Sequence, residues 1–369
     1  MDLSQIQAQR VISALKRGVF PPVKVEYFTA GRSTEIASLK RDLSRAASGG
    51  SSAAFFEGDY GHGKSHMLRT VQSIAVEAGF AVAWVTIDGR THAFNHPTRY
   101  LHAFLENLVV PNLPTRGLAN AVDAWMTGPR RSELLGFAKT APWPIGMSLL
   151  RIGQTSERQE EVDLSSGWFL EGRDLQAKNG IHYHDLFYER VEAIGQLCRA
   201  AGLKGMVWLF DEVECISKFL VNRLSRFAAY SVMKRLVEPT GFQHSCFYFA
   251  TTSEFRDRLS VEYTPYGMYG GAAAFVADWR AAKYPIHRLK KLNREDNNSL
   301  LRSIRDAHAI AYEWQATDKV GDHVIAKYLD MADGKVMTER EIVRAFVNIL
   351  EICEQNPGLE PMHKIGRST

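Results

Sequence analysis

The amino-acid sequence predicts an α/β fold, a parallel sheet between helices of the P-loop nucleoside-triphosphate-binding kind. Three observations predict it. Gly58-Asp59-Tyr60-Gly61-His62-Gly63-Lys64-Ser65 fits the phosphate-binding pattern G-x-x-x-x-G-K-[ST] at every required position. Gly205-Met206-Val207-Trp208-Leu209-Phe210 is an apolar run that closes on two acids, Asp211 and Glu212. Cys246-Phe247-Tyr248-Phe249-Ala250-Thr251 is a further apolar run, read as another strand.

In chain order, residues 3–17 read as a helix, with Ile6, Val11, Ile12 and Leu15 apolar among charged neighbours. Pro21-Pro22 stops it. Ser33 or Thr34 is placed to cap a second helix running to about Ala47. Gly49-Gly50-Ser51-Ser52 is a flexible break. Ala53-Ala54-Phe55-Phe56 then reads as a short buried strand, and His66–Ala78 as a helix with Met67, Val71 and Ile74 on one side.

The phosphate pattern therefore lies between a strand and a helix, where its chemistry needs it. Its glycines let backbone N–H groups turn inward around a polyphosphate. Lys64 is the cation for the β- and γ-phosphates of ATP, and the Ser65 hydroxyl a ligand for Mg²⁺. The helix N-terminus adds partial positive charge. Gly58, Asp59, Tyr60, Gly61, His62, Gly63, Lys64, Ser65 and His66 are thus the candidate nucleotide contacts, with the His62 side chain expected to face solvent or a neighbour.

Ala81–Ile87 is the second strand, ended by Asp88-Gly89, and Pro97–Val109 reads as a helix with Tyr100, Leu101, Phe104, Leu105 and Leu108 on its apolar side. Residues 111–181 fit the alternation poorly. They carry Pro111, Pro114, Pro129, Pro142, Pro144 and a charged stretch at 156–161, and read as a mostly helical insertion. A helix from Tyr183 to Ala201 leads back to the acid-ended strand. That polar end emerges at the carboxyl edge of the sheet, where ligands bind in open α/β folds. Asp211 is suited to the Mg²⁺ shell, as a Walker B aspartate is, and Glu212 to orienting or deprotonating the attacking water. Two acids rather than one argue for hydrolysis and not binding alone.

Residues 262–275 form a glycine- and tyrosine-rich loop, either plain surface or a partner contact. Residues 293–354 read as helices throughout, ended by Asn356-Pro357-Gly358. The expected organisation is N-terminal helices at 1–50, an ATPase core at 51–292 with the insertion at 111–181, a helical lid at 293–356 and a loose tail at 357–369.

Composition is that of an ordinary globular protein, with 45% hydrophobic and 23% charged residues in a chain of 369. The net charge of +4 permits a nucleic-acid partner without demanding one. The four cysteines, Cys198, Cys215, Cys246 and Cys353, show no CxxC spacing and suggest no disulfide framework. A reducing cytoplasm is the expected compartment. No apolar run approaches the roughly 18 residues of a membrane span.

The order of parts resembles an AAA+ ATPase of the initiator and STAND-like branch, and more closely the BrxC/BrxD ATP-binding family of bacterial BREX phage-defence systems. The resemblance is carried by Gly58–Leu68, by Ile87-Asp88 with Phe94-Asn95-His96-Pro97, and by Trp168-Phe169-Leu170-Glu171-Gly172. Leu209–Glu214 and Met337-Thr338-Glu339-Arg340-Glu341-Ile342-Val343-Arg344 complete it. It spans about residues 10–350, and the length suits the smaller member, the BrxD type. The resemblance implies an AAA+ fold with a C-terminal helical lid, ATP and Mg²⁺ as cofactors, and other defence proteins as partners. It implies a sensor-1 role for Thr252, although that position usually holds Asn, and a sensor-2 role for Arg340, with Arg344 one turn later as substitute. It also implies nucleotide-dependent homo-oligomers in which a neighbour's arginine completes each site.

Two basic concentrations stand out. Arg223, Arg226, Tyr230 and Lys234 share one helical face, and Arg280, Lys283, Arg288, Lys290, Lys291 and Arg294 interleave with Trp279 and Tyr284. Either is a candidate for a DNA backbone, a neighbour's nucleotide or plain solvent. His182-Tyr183-His184 lacks a third ligand at metal-binding spacing. The leading expectation is an ATPase coupled to assembly and to DNA or protein binding. A nucleotide-gated scaffold or switch with slow hydrolysis, and a helicase or transposition loader, are the alternatives.

Overall fold

The computed structural model describes residues 2–19, 21, 23–88, 93–141, 145–153, 187–238, 240–262, 270–335 and 337–358. The tyrosine-rich stretch at 263–269, the His182-Tyr183-His184 cluster, the Trp168–Gly172 segment, the later part of the expected insertion and most of the tail lie outside them. The chain divides into two compact units, one of Ala37–Glu57 and Ile74–Arg288, the other of Met1–Ile36, Gly58–Ser73 and Leu289–Thr369.

The first unit holds the sheet. Its strands are β1 (Ser51–Glu57), β2 (Ala81–Thr86), β3 (Met206–Asp211), β4 (Ser245–Thr251) and β5 (Ile286–Arg288). They lie in the order β2-β3-β4-β1-β5, and every pairing is parallel. This is the α/β P-loop fold that the sequence predicts. β4 separates the strand preceding the phosphate pattern from the strand that ends in the two acids. Register brings the carboxyl ends level, with Glu57 opposite Thr251 and Thr86 opposite Asp211.

Aromatic side chains explain why these strands read as unbroken apolar runs. Phe249 stacks on Phe55 at 4.9 Å and on Phe210 at 4.8 Å, while the neighbouring positions Phe56 and Tyr248 stack at 5.7 Å. Successive side chains point to opposite faces, so both faces of the sheet are packed and no polar alternation survives. β5 escapes sequence reading because Ile286-His287-Arg288 is short and only half buried, a strand by pairing with Phe55–Glu57 alone. The helix expected over 97–109 ends at Glu106, because Val109 leaves it to exchange two backbone hydrogen bonds with Val82. Within the expected insertion, helices run over Leu118–Thr127, Arg131–Thr140 and Ile145–Gly153. All four cysteines are buried, and burial pushes the Cys198 and Cys215 thiols up to about 12.

The second unit is helical. Helices Gln5–Lys16, Arg294–Tyr312, Asp322–Gly334 and Glu339–Gln355 share one core that includes Ile12, Leu301, Ile304, Tyr328 and Phe346. Three of them begin with reciprocal capping boxes: Ser4 with Gln7, Asn293 with Asp296, and Thr338 with Glu341. Each box satisfies N–H groups that the helix itself leaves unpaired. The amino-terminal helix thus packs with the carboxy-terminal ones, a long-range pairing for which local sequence carries no signal.

Candidate functional site

The phosphate pattern belongs to the helical unit. Gly61 and Gly63 hold φ of +87° and +80°, left-handed backbone that a side chain would strain. The helix begins at Lys64, so the N–H groups of Lys64, Ser65 and His66 occupy its first turn, where no intrahelical acceptor exists. Lys64 is buried, and its ammonium donates to the Gly58 carbonyl at 2.8 Å and the Asp59 carbonyl at 3.3 Å, 5.2 Å from the Tyr60 ring centre. The loop therefore carries its own cation, drawn into the ring of backbone that a phosphate would occupy.

The two loop histidines are turned to protein rather than to solvent. His62 is half-buried, and its Nδ1 lies 3.1 Å from the Leu289 carbonyl and 3.3 Å from the Asp59 N–H. One nitrogen cannot donate to the first and accept from the second at once, so the tautomer selects the partner. The sequence reading left His62 to face solvent or a neighbour; within the chain its ring lies beside the Leu289 carbonyl and the Asp59 N–H. His66 Nε2 is 2.7 Å from Thr29 Oγ1, and burial, followed by the charge of Arg32, lowers its pKa to about 4. His66 is neutral at physiological pH, and its ring is directed at Thr29.

Arg32 is a residue that sequence reasoning missed. Ser33 or Thr34 was expected to cap the second helix, but that helix runs Ser33–Ala47 and Ile36 N–H donates to the Arg32 carbonyl, so Arg32 holds the cap position. Arg32 is 9% exposed, and its Nη2 donates to the His62 carbonyl at 3.0 Å and the Lys290 carbonyl at 2.7 Å.

In the same unit, Arg340 and Arg344 are exposed, and a Cβ built on Gly18 would meet their Cδ atoms at 3.3 and 3.0 Å. Glu339, at the start of that helix, and its cap residue Thr338 lie near Gly61 of the phosphate loop. Glu339 Oε2 lies 3.8 Å from the Cβ position of Gly61, and its Oε1 accepts the Leu292 N–H at 3.3 Å.

The strand-end residues belong to the sheet unit. Asp211 is 6% exposed, with Oδ1 accepting the Glu212 N–H at 3.0 Å. Glu212 adopts φ +56°, which turns the chain sharply and leaves its carboxylate exposed. The next N–H, of Val213, is tied to the Ala250 carbonyl of β4. Thr252, which starts the helix Ser253–Val261, is 3% exposed and makes no side-chain cap. Its hydroxyl and that of Thr251 have no hydrogen-bond partner among the described residues. Glu57, at the end of β1, is buried against Arg256 at 2.7 Å and Arg288 at 3.6 Å. The described residues hold no cluster of metal-ligating side chains.

The family described as BREX system ATP-binding protein BrxC/D matches residues 3–132 and 172–369. The chain belongs to that family. The family is described as an ATP-binding one. The unmatched residues 133–171 fall inside the stretch read as an insertion. No curated protein matches the chain. Among solved structures, the Walker-type ATPase PABY2304 of Pyrococcus abyssi aligns with a TM-score of 0.39 and 12% identity, covering 91% of this chain and 71% of that one.

Many cations of the two basic segments have partners inside the chain. Arg226 forms a two-bonded pair with Glu262 at 3.1 and 3.2 Å, and Tyr230 donates to the same carboxylate. Lys234 pairs with Asp278 at 3.0 Å and Glu238 at 3.4 Å. Farther along, Arg280 donates to the Glu262 carbonyl, Lys283 pairs with Asp278, and Arg294 with Asp330 and Asp333. Lys290 and Lys291 are exposed, with no side-chain ion pair among the described residues. No helix of the described residues is long and apolar enough to cross a membrane.

Proposed function

We propose that this BREX-family protein hydrolyses ATP with Mg²⁺ and couples the nucleotide state to self-assembly and to DNA or protein binding in phage defence. The observation that carries the hydrolysis reading is the contrast at the end of β3. Asp211 is buried and oriented by a backbone hydrogen bond, while the adjacent Glu212 is exposed on left-handed backbone. One acid is built to hold and the other to react.

The oxygen donors suit a hard cation: the Ser65 hydroxyl and the Asp211 carboxylate are the candidate Mg²⁺ ligands. Bound there, Mg²⁺ would neutralise charge on the β- and γ-phosphates. Lys64 exchanges its loop carbonyls for phosphate oxygens, and the first-turn N–H groups donate to them. Glu212 accepts a proton from water as the water oxygen bonds to the γ-phosphorus. The bond from that phosphorus to the β–γ bridging oxygen breaks, and the electron pair leaves with ADP. The Thr252 hydroxyl, buried with no hydrogen-bond partner among the described residues, is assigned to the water or the γ-phosphate. Arg340, with Arg344 as substitute, is assigned to the γ-phosphate from the lid. Family membership supports the defence role.

Glu212→Gln tests the reading. The amide is nearly isosteric but a poor proton acceptor, so ATP affinity should persist while turnover falls at least about 10²-fold, the usual scale of general-base loss. Unchanged turnover removes Glu212 from the mechanism, and absent turnover in the unaltered protein favours a nucleotide-gated switch.

A further inference from the structure

We propose that Arg32 is a positioning residue of the phosphate loop, acting on the direction of its peptide groups and not on the nucleotide itself. The inference deepens the ATP-binding reading and rests on it. A peptide is planar and trans, so its carbonyl and the following N–H point in opposite directions. Arg32 Nη2 fixes the His62 carbonyl at 3.0 Å. The Gly63 N–H is thereby aimed away from Arg32, into the concave side of the loop where a phosphate oxygen would sit. The need is acute at this peptide, because Gly63 is at φ +80° and a residue without Cβ has no side chain to hold it in that conformation.

The same Nη2 donates to the Lys290 carbonyl at 2.7 Å, and the His62 ring meets the Leu289 carbonyl at 3.1 Å. The segment 289–290 is therefore a strap beside the loop, fastened to the His62 main chain through Arg32 and, in the tautomer that carries the proton on Nδ1, to the His62 side chain. Arg32 is anchored in turn by the helix Ser33–Ala47, whose Ile36 N–H donates to the Arg32 carbonyl. A buried guanidinium costs desolvation, which lowers the Arg32 pKa, against the attraction of Glu35, Glu339 and Asp296. That cost is offset here by hydrogen bonds whose geometry an apolar side chain could not supply. With both Nη2 hydrogens on carbonyls and only 9% exposure, Arg32 acts through the loop.

The test uses the full chain and two variants. Arg32→Met keeps the volume and removes every donor; Arg32→Lys keeps the charge and part of the donor capacity. ATP and ADP affinity, melting temperature without nucleotide, and hydrogen exchange across residues 58–65 are read together. Arg32→Met should weaken ATP and ADP binding on the order of 10- to 100-fold, the range for losing hydrogen bonds to a charged group. Arg32→Lys should recover part of the loss. Exchange should accelerate in the loop and not across Glu339–Gln355. ATP binding by Arg32→Met within twofold of the unaltered protein overturns the proposal and leaves ATP binding intact. Equal losses in both variants, with exchange faster throughout the helical unit, also overturn it by marking Arg32 as plain scaffolding. Absence of ATP binding by the unaltered protein would instead defeat the function proposed above.

Discussion

The phosphate loop and the carboxyl ends of β3 and β4 are built on opposite rules. In the loop, three polar groups are held by protein, Lys64 by the Gly58 and Asp59 carbonyls, the His62 carbonyl by Arg32 and the His66 ring by Thr29, while the first-turn N–H groups have no intrahelical acceptor. At the strand ends, Thr251 and Thr252 hold buried hydroxyls with no partner among the described residues, and the Glu212 carboxylate stands in solvent. Buried polar groups are normally paired, and exceptions mark strain or function. The difference separates two tasks. A loop held in this way keeps one shape and exchanges partners when phosphate arrives, which suits binding. Unsatisfied, strained strand ends suit a reacting water.

If that division holds, the largest effect lies in the loop. Lys64→Ala removes the buried ammonium and should weaken ATP binding at least about 100-fold, from two charge-assisted hydrogen bonds of roughly 1.5–3 kcal/mol each. Isothermal titration that finds near-normal affinity would show that the folded-back lysine is structural. A smaller effect is expected at the strand end. Thr252→Val keeps the shape and removes the unpartnered hydroxyl, so ATP affinity should stay within about twofold while turnover falls about tenfold, one hydrogen bond at the reacting centre. An affinity loss matching the turnover loss would erase the distinction between the two regions.

Much of the sheet was legible because its strands announce themselves. Trp208, Phe210, Phe247 and Phe249 lie in runs too apolar to be anything but covered, and Asp211-Glu212 closes one of them with a polarity break. The loop was legible because its chemistry fixes residue types at fixed spacing. What stayed hidden was long-range. β5 is a strand only because Phe55–Glu57 lies beside it, and Arg32 matters only because residues 62 and 290 come within its reach. Glu339 was overlooked beside the more conspicuous Arg340, although Glu339 lies near Gly61. The expected helix cap lay one or two residues too far along: the helix starts at Ser33, and the Ile36 N–H donates to the Arg32 carbonyl.

The rule that divides the loop from the strand ends also divides the basic segments, and there the expected effect is smallest. Arg226 and Lys234 have carboxylate partners inside the chain, and the Lys234 side chain is only 19% exposed. Lys290 and Lys291 have exposed side chains with no ion pair among the described residues. A cation already paired gains little from a phosphate, whereas an unpaired one releases a counterion from DNA when it binds. Lys291→Glu should therefore weaken binding to a labelled duplex a few-fold and reduce the slope of log affinity against log salt by about one or more. Lys234→Gln should leave DNA affinity and slope unchanged and lower the melting temperature slightly, through lost pairing with Asp278 and Glu238. Fluorescence anisotropy at several salt concentrations, beside thermal melting, checks both variants. The opposite pattern, with Lys234→Gln losing DNA and Lys291→Glu retaining it, would mean that the internal pairs open on binding. No duplex binding at low salt, with or without ATP, would turn the search toward a protein partner for the exposed lysines.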